Sequence, residues 1–310
     1  MAWVVVGASG FVGSAVAAEL AGRGIPARGV RAPHIASSAA DPAAIVREAS
    51  CSPLRQLLAA DFAGAEVVIN AAGLAAPGHT GSPELTGANA LLPVLVAIAA
   101  KDAGVSRVIH LSSAAVQGHR PVLDESAERT PFSAYSRSKA LAEEALAALP
   151  ESGLELVVLR ATSVQGPERP TTVALRRLAA SALASVAAPG TAPTPVSSIH
   201  ALAWFVAEVG LHAGRVPAVV LQPWEGLSVT AVLAAAGGRQ PRTLPAGVCR
   251  LLVRTGYLVS RLLGERLHGT VRRVELMWFG QAQDPGWAES VMIAPQSQVA
   301  AVLRPAQPGR

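Results

Sequence analysis

At 310 residues, half of them hydrophobic, the chain has material for one large α/β domain, or for a large domain with a smaller lobe. Its formal charge of +5 rests on scattered arginines and its aromatic content is only 4 %, which argues against a nucleic-acid surface and leaves a weak attraction for small anions. Two distant cysteines, Cys51 and Cys249, suggest a reducing compartment or simple indifference to disulfides, and Met1 runs straight into a strand with no signal peptide, so the expected location is cytoplasmic. The longest apolar run, near Leu91 to Ala100, contains Pro93 and is too short to span a bilayer. No metal site is expected.

The first element is the apolar run Trp3 to Val6, which stops at Gly7-Ala8-Ser9-Gly10-Phe11-Val12-Gly13. Apolar positions then recur at helical spacing (Phe11, Val12, Val16, Leu20) until Gly22 and Gly24. Strand, glycine turn and helix in this order suit a dinucleotide. Glycines let the backbone approach a pyrophosphate, and the helix N-terminus offers free amides and a positive dipole end. Gly7, Ser9, Gly10, Phe11, Val12 and Gly13 are the expected contacts.

Ile25 to Val30 reads as the second strand, ending in Arg31. Sites that prefer NAD place an acid here for the ribose 2′-hydroxyl, whereas an arginine suits a 2′-phosphate. No Asp or Glu lies between Glu19 and Asp41. NADP(H) is therefore expected over NAD(H), with Arg31 as the phosphate contact and Arg28 or His34 as helpers.

Ala43 to Ala49 reads as a weak third strand and Pro53 to Ala60 as a short helix. Glu66 to Ile69 is a fourth strand, halted by Asn70-Ala71-Ala72-Gly73, where the small residues Ala71, Ala72 and Gly73 would let a cofactor lie against the backbone. Leu74 to Gly81, around His79, is expected as a loop over the site. A long helix, Glu84 to Ala103, carries Asn89, and the strand Arg107 to Leu111 delivers Ser112-Ser113 to the same edge. His110, inside that strand, reads as a satisfied core histidine.

The next helix opens near Pro131 and Ser133 and contains Tyr135-Ser136-Arg137-Ser138-Lys139. The chain has only two tyrosines and two lysines, so one of each four residues apart is informative. Positions i and i+4 share a helix face. A cation beside a phenol favours phenolate and lowers a pKa that starts near ~10, which makes the tyrosine a usable acid or base. Leu154 to Leu159 is a sixth strand, followed by Arg160 and Gly166-Pro167. Strands and helices have alternated throughout, which predicts an α/β fold, a doubly wound parallel sheet with helices on both faces.

After Pro167 come a helix over Thr172 to Ala187, a proline-rich loop, a helix over Ile199 to His212, a strand over Ala218 to Leu221 and a helix over Ser228 to Ala236. Cys249 to Val274 is arginine-rich and amphipathic, and reads as a solvated helix packed on the core in preference to one lying on a membrane.

With GASGFVG (7–13), NAAG (70–73), SSAAVQG (112–118), YSRSK (135–139) and LRATSVQGP (159–167) in order, residues 2–236 resemble the extended short-chain dehydrogenase/reductase family, which includes nucleotide-sugar epimerases, dehydratases and ketoreductases. The resemblance implies a Rossmann-type cofactor domain over 1–166, joined again by 197–222, and a smaller C-terminal substrate lobe within 167–310. It implies that Ser113 binds the reacting oxygen, that Tyr135 exchanges its proton, and that Lys139 holds the nicotinamide ribose. It further implies a homodimer built on the helices Glu84–Ala103 and Ser133–Ala148.

Departures narrow the chemistry. Gln117 stands where the family often has Tyr, and Ala114-Ala115 replace the acidic pair of the dehydratases. The usual Asn for a sugar-nucleotide diphosphate is missing near Ser163, leaving Arg169, Arg176 and Arg177 as substitutes. The expected reaction is hydride transfer at a secondary alcohol or ketone carbon of a small-molecule substrate. Family frequency favours a nucleotide-activated sugar, through a 4-ketoreductase or epimerase. The alternatives are an NADPH-dependent ketoreductase of a non-nucleotide small molecule, and a dinucleotide-binding regulator without turnover.

Overall fold

The structure, a computed structural model, describes residues 2–75, 81–151, 153–264 and 267–304. Six strands form one sheet in the spatial order Val219–Leu221, Glu155–Ala161, Arg107–Ser113, Ala65–Asn70, Ala2–Val6, Ala27–Val30, and every neighbouring pair is parallel. Strands covered on both faces read as unbroken apolar runs, as Trp3–Val6 and Val67–Ile69 do. Alternate residues feed opposite layers. Val4 and Val6 pack with Ile45, Leu95 and Ala142 on one face, while Trp3 and Val5 pack with Val16, Leu20, Leu202 and Phe205 on the other. The sheet is therefore doubly wound, a Rossmann-type α/β fold.

Chain order reverses between Ala2–Val6 and its neighbour Ala65–Asn70. In an open parallel sheet the crevice beyond such a reversal is where ligands bind. The glycine turn and Ala71-Ala72-Gly73 are the segments that leave these two strands, and Ala71 N–H donates to the Val6 carbonyl at 3.0 Å.

Three expectations are corrected. Ala43–Ala49 lies in a helix, Pro42–Cys51, instead of a strand. Asp41 caps it by accepting from Ala44 N–H at 2.8 Å, proline occupies the first turn, and Ile45 and Ala49 fall four apart on the buried face. The helix expected over Thr172–Ala187 stops at Ala180, and Ser185–Ala187 is a short strand paired with Arg242–Leu244. Cys249–Val274 is two helices, Ala246–Leu262 and His268–Phe279, separated near Gly264 at φ +65°. The loop around His79 falls largely outside the described residues.

The long helix, Pro83–Asp102, is apolar and long enough to cross a membrane, but most of it is buried in the core. Every residue from Leu92 to Ala100 is buried, under helices Pro42–Cys51 and Leu54–Phe62. At Gly87–Leu91 the helix widens into one π turn, and its backbone lies so close to Ile35 that a Cβ at Gly87 would stand 2.1 Å from that residue's carbonyl oxygen. Such widened turns often mark functional positions.

Residues beyond 236, which carry no recognisable motif, dock onto the same body. Ala282–Gln283 pairs with Val122–Leu123. The Glu125 carboxylate accepts from the backbone amides of Leu221 and Trp287, at 2.9 and 2.8 Å. Glu225 accepts likewise from Gln298 and Val299, at 2.7 and 2.8 Å.

Candidate active site

At the glycine turn, Gly7 holds φ +80° and its N–H donates to the Val30 carbonyl at 2.9 Å. A Cβ at Gly13 would stand 2.1 Å from the Gly7 carbonyl oxygen, so the turn closes this tightly only with glycine there. Gly10 caps the helix Phe11–Gly22 with no side-chain acceptor. The amides of the first turn thus point to the crevice without a capping partner, which fits a pyrophosphate.

Arg31 is exposed at the end of the second strand and forms no ion pair among the described residues. His34 is exposed nearby. Arg28 donates through Nη2 to the carbonyls of Asp61 and Ala63 at 2.8 and 2.9 Å.

Across the crevice, Ser133 and Ser136 form a reciprocal cap that starts the helix Ala134–Ala147 and fixes Tyr135 in its first turn. Tyr135 is half-buried. Burial raises its phenol above the usual value, while the neighbouring Ser113 hydroxyl and the charge of Arg169 pull the other way. Lys139 does not act on this phenol in the way the helix spacing suggests. Its ammonium donates instead to the Leu111 carbonyl at 2.9 Å, and burial pushes it down to about 8, opposed by the Glu143 carboxylate. The cation that faces Tyr135 is Arg169, which stacks 4.8 Å over the Phe11 ring and donates to the Val164 carbonyl.

Asn89, from the widened turn, lies beside these groups. It accepts from Leu74 N–H at 2.9 Å and donates to Leu74 O at 2.9 Å and Ser138 Oγ at 3.0 Å. A Cβ at Gly73 would stand 2.9 Å from Asn89 Oδ1 and 3.3 Å from Lys139 Nζ, so the strand end stays open toward the lysine only as glycine. His110 is buried below, 3.3 Å from Asn70 Nδ2, and burial with the Lys139 charge holds it well below its ordinary pKa. It is a core histidine as expected, but satisfied on one ring nitrogen only, because its buried Nε2 has no hydrogen-bond partner among the described residues.

A buried charge cluster supports the helix from behind. Glu143 accepts from Arg160 at 2.8 and 3.2 Å, from Arg129 at 2.9 Å and from Ser112 Oγ at 2.6 Å. Arg160 also donates to the carbonyls of Asp124 and Ser126, at 3.2 and 2.8 Å. The sequence reading assigned no role to Glu143 or Asn89, although Glu143 follows Lys139 by the same four residues that separate Lys139 from Tyr135. Gln117, at the family's tyrosine position, is fully buried and ties Asp124 by a reciprocal pair at 2.6 and 3.0 Å.

The chain is similar to known proteins over most of this architecture. The NAD dependent epimerase/dehydratase family model matches residues 3–200. The 4-hydroxy-2-methyl-3-oxo-4-farnesyl-3,4-dihydroquinoline-1-oxide ketoreductase of Stigmatella aurantiaca is 32% identical over 176 residues, 53% of this chain and 50% of the relative. The match thus spans about half the length of that relative. Among solved structures, UDP-glucuronic acid 4-epimerase from Bacillus cereus in complex with NAD has a TM-score of 0.65 at 18% identity, covering 98% of this chain and 96% of that one. The human epimerase family protein SDR39U1 (isoform2) with NADPH has a TM-score of 0.63 at 19% identity, covering 98% of each chain. At such identities it is the fold that is shared. Together with the glycine turn and the crevice at the strand reversal, these matches place the protein: the chain belongs to the NAD dependent epimerase/dehydratase family.

Proposed function

We propose that the chain is an NADP(H)-dependent ketoreductase acting on a non-nucleotide small molecule. Residues 1–166 with 197–222 hold the cofactor, and the remainder of 167–310 shapes the substrate site. The dinucleotide, when bound, supplies or accepts the hydride. Tyr135 gives the proton to the carbonyl oxygen, Ser113 donates a hydrogen bond to that oxygen as charge develops on it, and Lys139 holds the ribose. Gly7, Ser9, Gly10, Phe11, Val12 and Gly13 carry the pyrophosphate, with Ala71, Ala72 and Gly73 along its side.

The observation that carries the substrate class is the fate of the arginines. Arg176, one of the three arginines that could hold a sugar-nucleotide diphosphate, is spent on the backbone carbonyls of Leu303, Pro167, Val302 and Arg304 at 2.9, 2.8, 2.6 and 2.9 Å, and only Arg177 of the three stays exposed without a side-chain bond among the described residues. Arg169 is stacked on Phe11 beside Tyr135. The similarity to a ketoreductase of a farnesylated quinoline oxide points the same way. A second reading, a nucleotide-sugar 4-ketoreductase or epimerase, is favoured by the likeness to the Bacillus cereus 4-epimerase.

The test is deuteride transfer from 4-deuterated NADPH to a panel of prochiral ketones, with UDP-hexoses in parallel. Net NADPH oxidation with deuterium in a ketone-derived alcohol is expected. Interconversion of a UDP-hexose without net oxidation would replace the first reading by the second.

Cofactor choice has its own test. Replacing Arg31 with glutamate removes a charge-assisted bond to the 2′-phosphate and sets a like charge against it. The preference for NADPH over NADH, read as the ratio of kcat/KM values, is expected to fall by about 10- to 100-fold. An unchanged ratio would place the phosphate contact elsewhere.

A further inference from the structure

The helix Ala246–Leu262 carries three distinct stripes. Cys249, Val253 and Ser260 are buried against the body. Val248, Leu251, Leu252, Leu258, Val259, Leu262 and the adjoining Leu263 all face solvent, with Leu251 at 65 %, Leu258 at 58 % and Leu262 at 79 % exposure. At 100° per residue these seven positions, joined by Thr255, fill an outward arc of roughly 140°. Arg250, Arg254 and Arg261 form a row along one edge of that arc, and none of them enters an ion pair among the described residues. Arg254 and Arg261 also border, with Arg137, an open cavity of about 610 Å³.

Charge decides what can cover this face. From Gly226 to Gly264 the chain has five arginines and neither an Asp nor a Glu. A second copy packed on the stripe would bring more arginine and no acid from this segment. A bilayer with anionic headgroups matches both parts: the acyl boundary takes the leucines, and lipid phosphates take the arginine row at one depth. We propose that the helix Ala246–Leu262 is a peripheral docking surface for an anionic phospholipid membrane, lying in the interface plane without crossing it. The sequence reading, a solvated helix packed on the core, accounts for the buried stripe and the arginines but not for seven apolar side chains turned to water.

Co-sedimentation of the full chain with vesicles tests this. Binding is expected to phosphatidylcholine vesicles containing phosphatidylglycerol and not to phosphatidylcholine alone, and it should weaken as salt rises. The pair L258E and L262E should lower partitioning by at least about tenfold, and each of R254Q and R261Q by about fivefold. These side chains are exposed, so thermal unfolding should stay where it is. L57E, altering an exposed leucine of another helix, should bind as the unaltered chain does. Absence of binding to the anionic vesicles at low salt would overturn the proposal. So would a self-associating chain that L258E and L262E render monomeric with vesicle binding unchanged, which would give the stripe to a second copy.

Discussion

Replacing Tyr135 with phenylalanine is expected to lower kcat by about 10²- to 10⁴-fold, with kcat/KM falling equally and dinucleotide affinity staying within about twofold. The substitution keeps the ring and removes only the hydroxyl. The ring lies in the first turn of a helix whose cap, Ser133 with Ser136, does not involve the phenol. The folded site therefore survives, and so does the glycine turn that holds the pyrophosphate on the other wall of the crevice. What is lost is the phenol hydroxyl, which has the Ser113 hydroxyl and the charge of Arg169 beside it. Equal loss in kcat and kcat/KM is the mark of an interaction made in the transition state alone. Single-turnover hydride transfer with deuterated NADPH, beside fluorescence titration of the dinucleotide, separates the two quantities. Retained turnover would move the acid to another group.

How the phenol is set up differs from what the spacing suggests, and the difference shows where sequence reading stops. A lysine four residues after a tyrosine shares its helix face, and that much is legible. The direction of the ammonium is not, because it is set by the Leu111 carbonyl on a strand twenty-eight residues earlier. Arg169 follows a Gly-Pro turn in the sequence and looks like a free anion ligand. Only the packed chain shows it over Phe11, beside Tyr135. The glycine turn and the small residues at 71–73 were legible because each is local and fixed by backbone sterics, whereas the spatial order of the strands, set by non-local pairing, was not. Ala43–Ala49 was misread because Ile45-Val46 carries strand propensity, a weak prior, whereas the Asp41-Pro42 cap that decides the matter lies just outside that window. The role of the final seventy residues was not legible at all. Their anchors are carboxylates to backbone amides, at Glu125 and Glu225, and such bonds leave no side-chain pattern in the partner segment.

Removal of the Glu143 carboxylate is the second large effect expected. Glu143 and Arg160 are both fully buried as side chains and bonded in two places. Replacing Glu143 with alanine leaves the Arg160 guanidinium buried with only the carbonyls of Asp124 and Ser126, and unsatisfies Ser112 Oγ as well. Breaking one side of such a pair costs about 3–5 kcal/mol, which for a chain of this size lowers Tm by on the order of 10 °C. The double variant E143A with R160M should recover a large part of this loss, because no unpaired charge remains. A second readout distinguishes a support for the fold from a support for the site. Lys139 is held near 8 by burial, with Glu143 as the opposing influence that favours the ammonium. The lysine is therefore charged below about pH 8 and neutral above it, and dinucleotide binding that relies on its charge falls as pH rises through that value. Without the carboxylate the ammonium is less favoured, so the alkaline fall must begin at lower pH. The conservative E143Q, neutral but able to keep hydrogen bonds to Arg160 or Ser112, should move the pH limb in the same direction with a smaller loss of Tm. A Tm loss in E143A with the alkaline limb unmoved would confine Glu143 to holding the strand Glu155–Ala161 against the helix Ala134–Ala147, with no part in the protonation of Lys139.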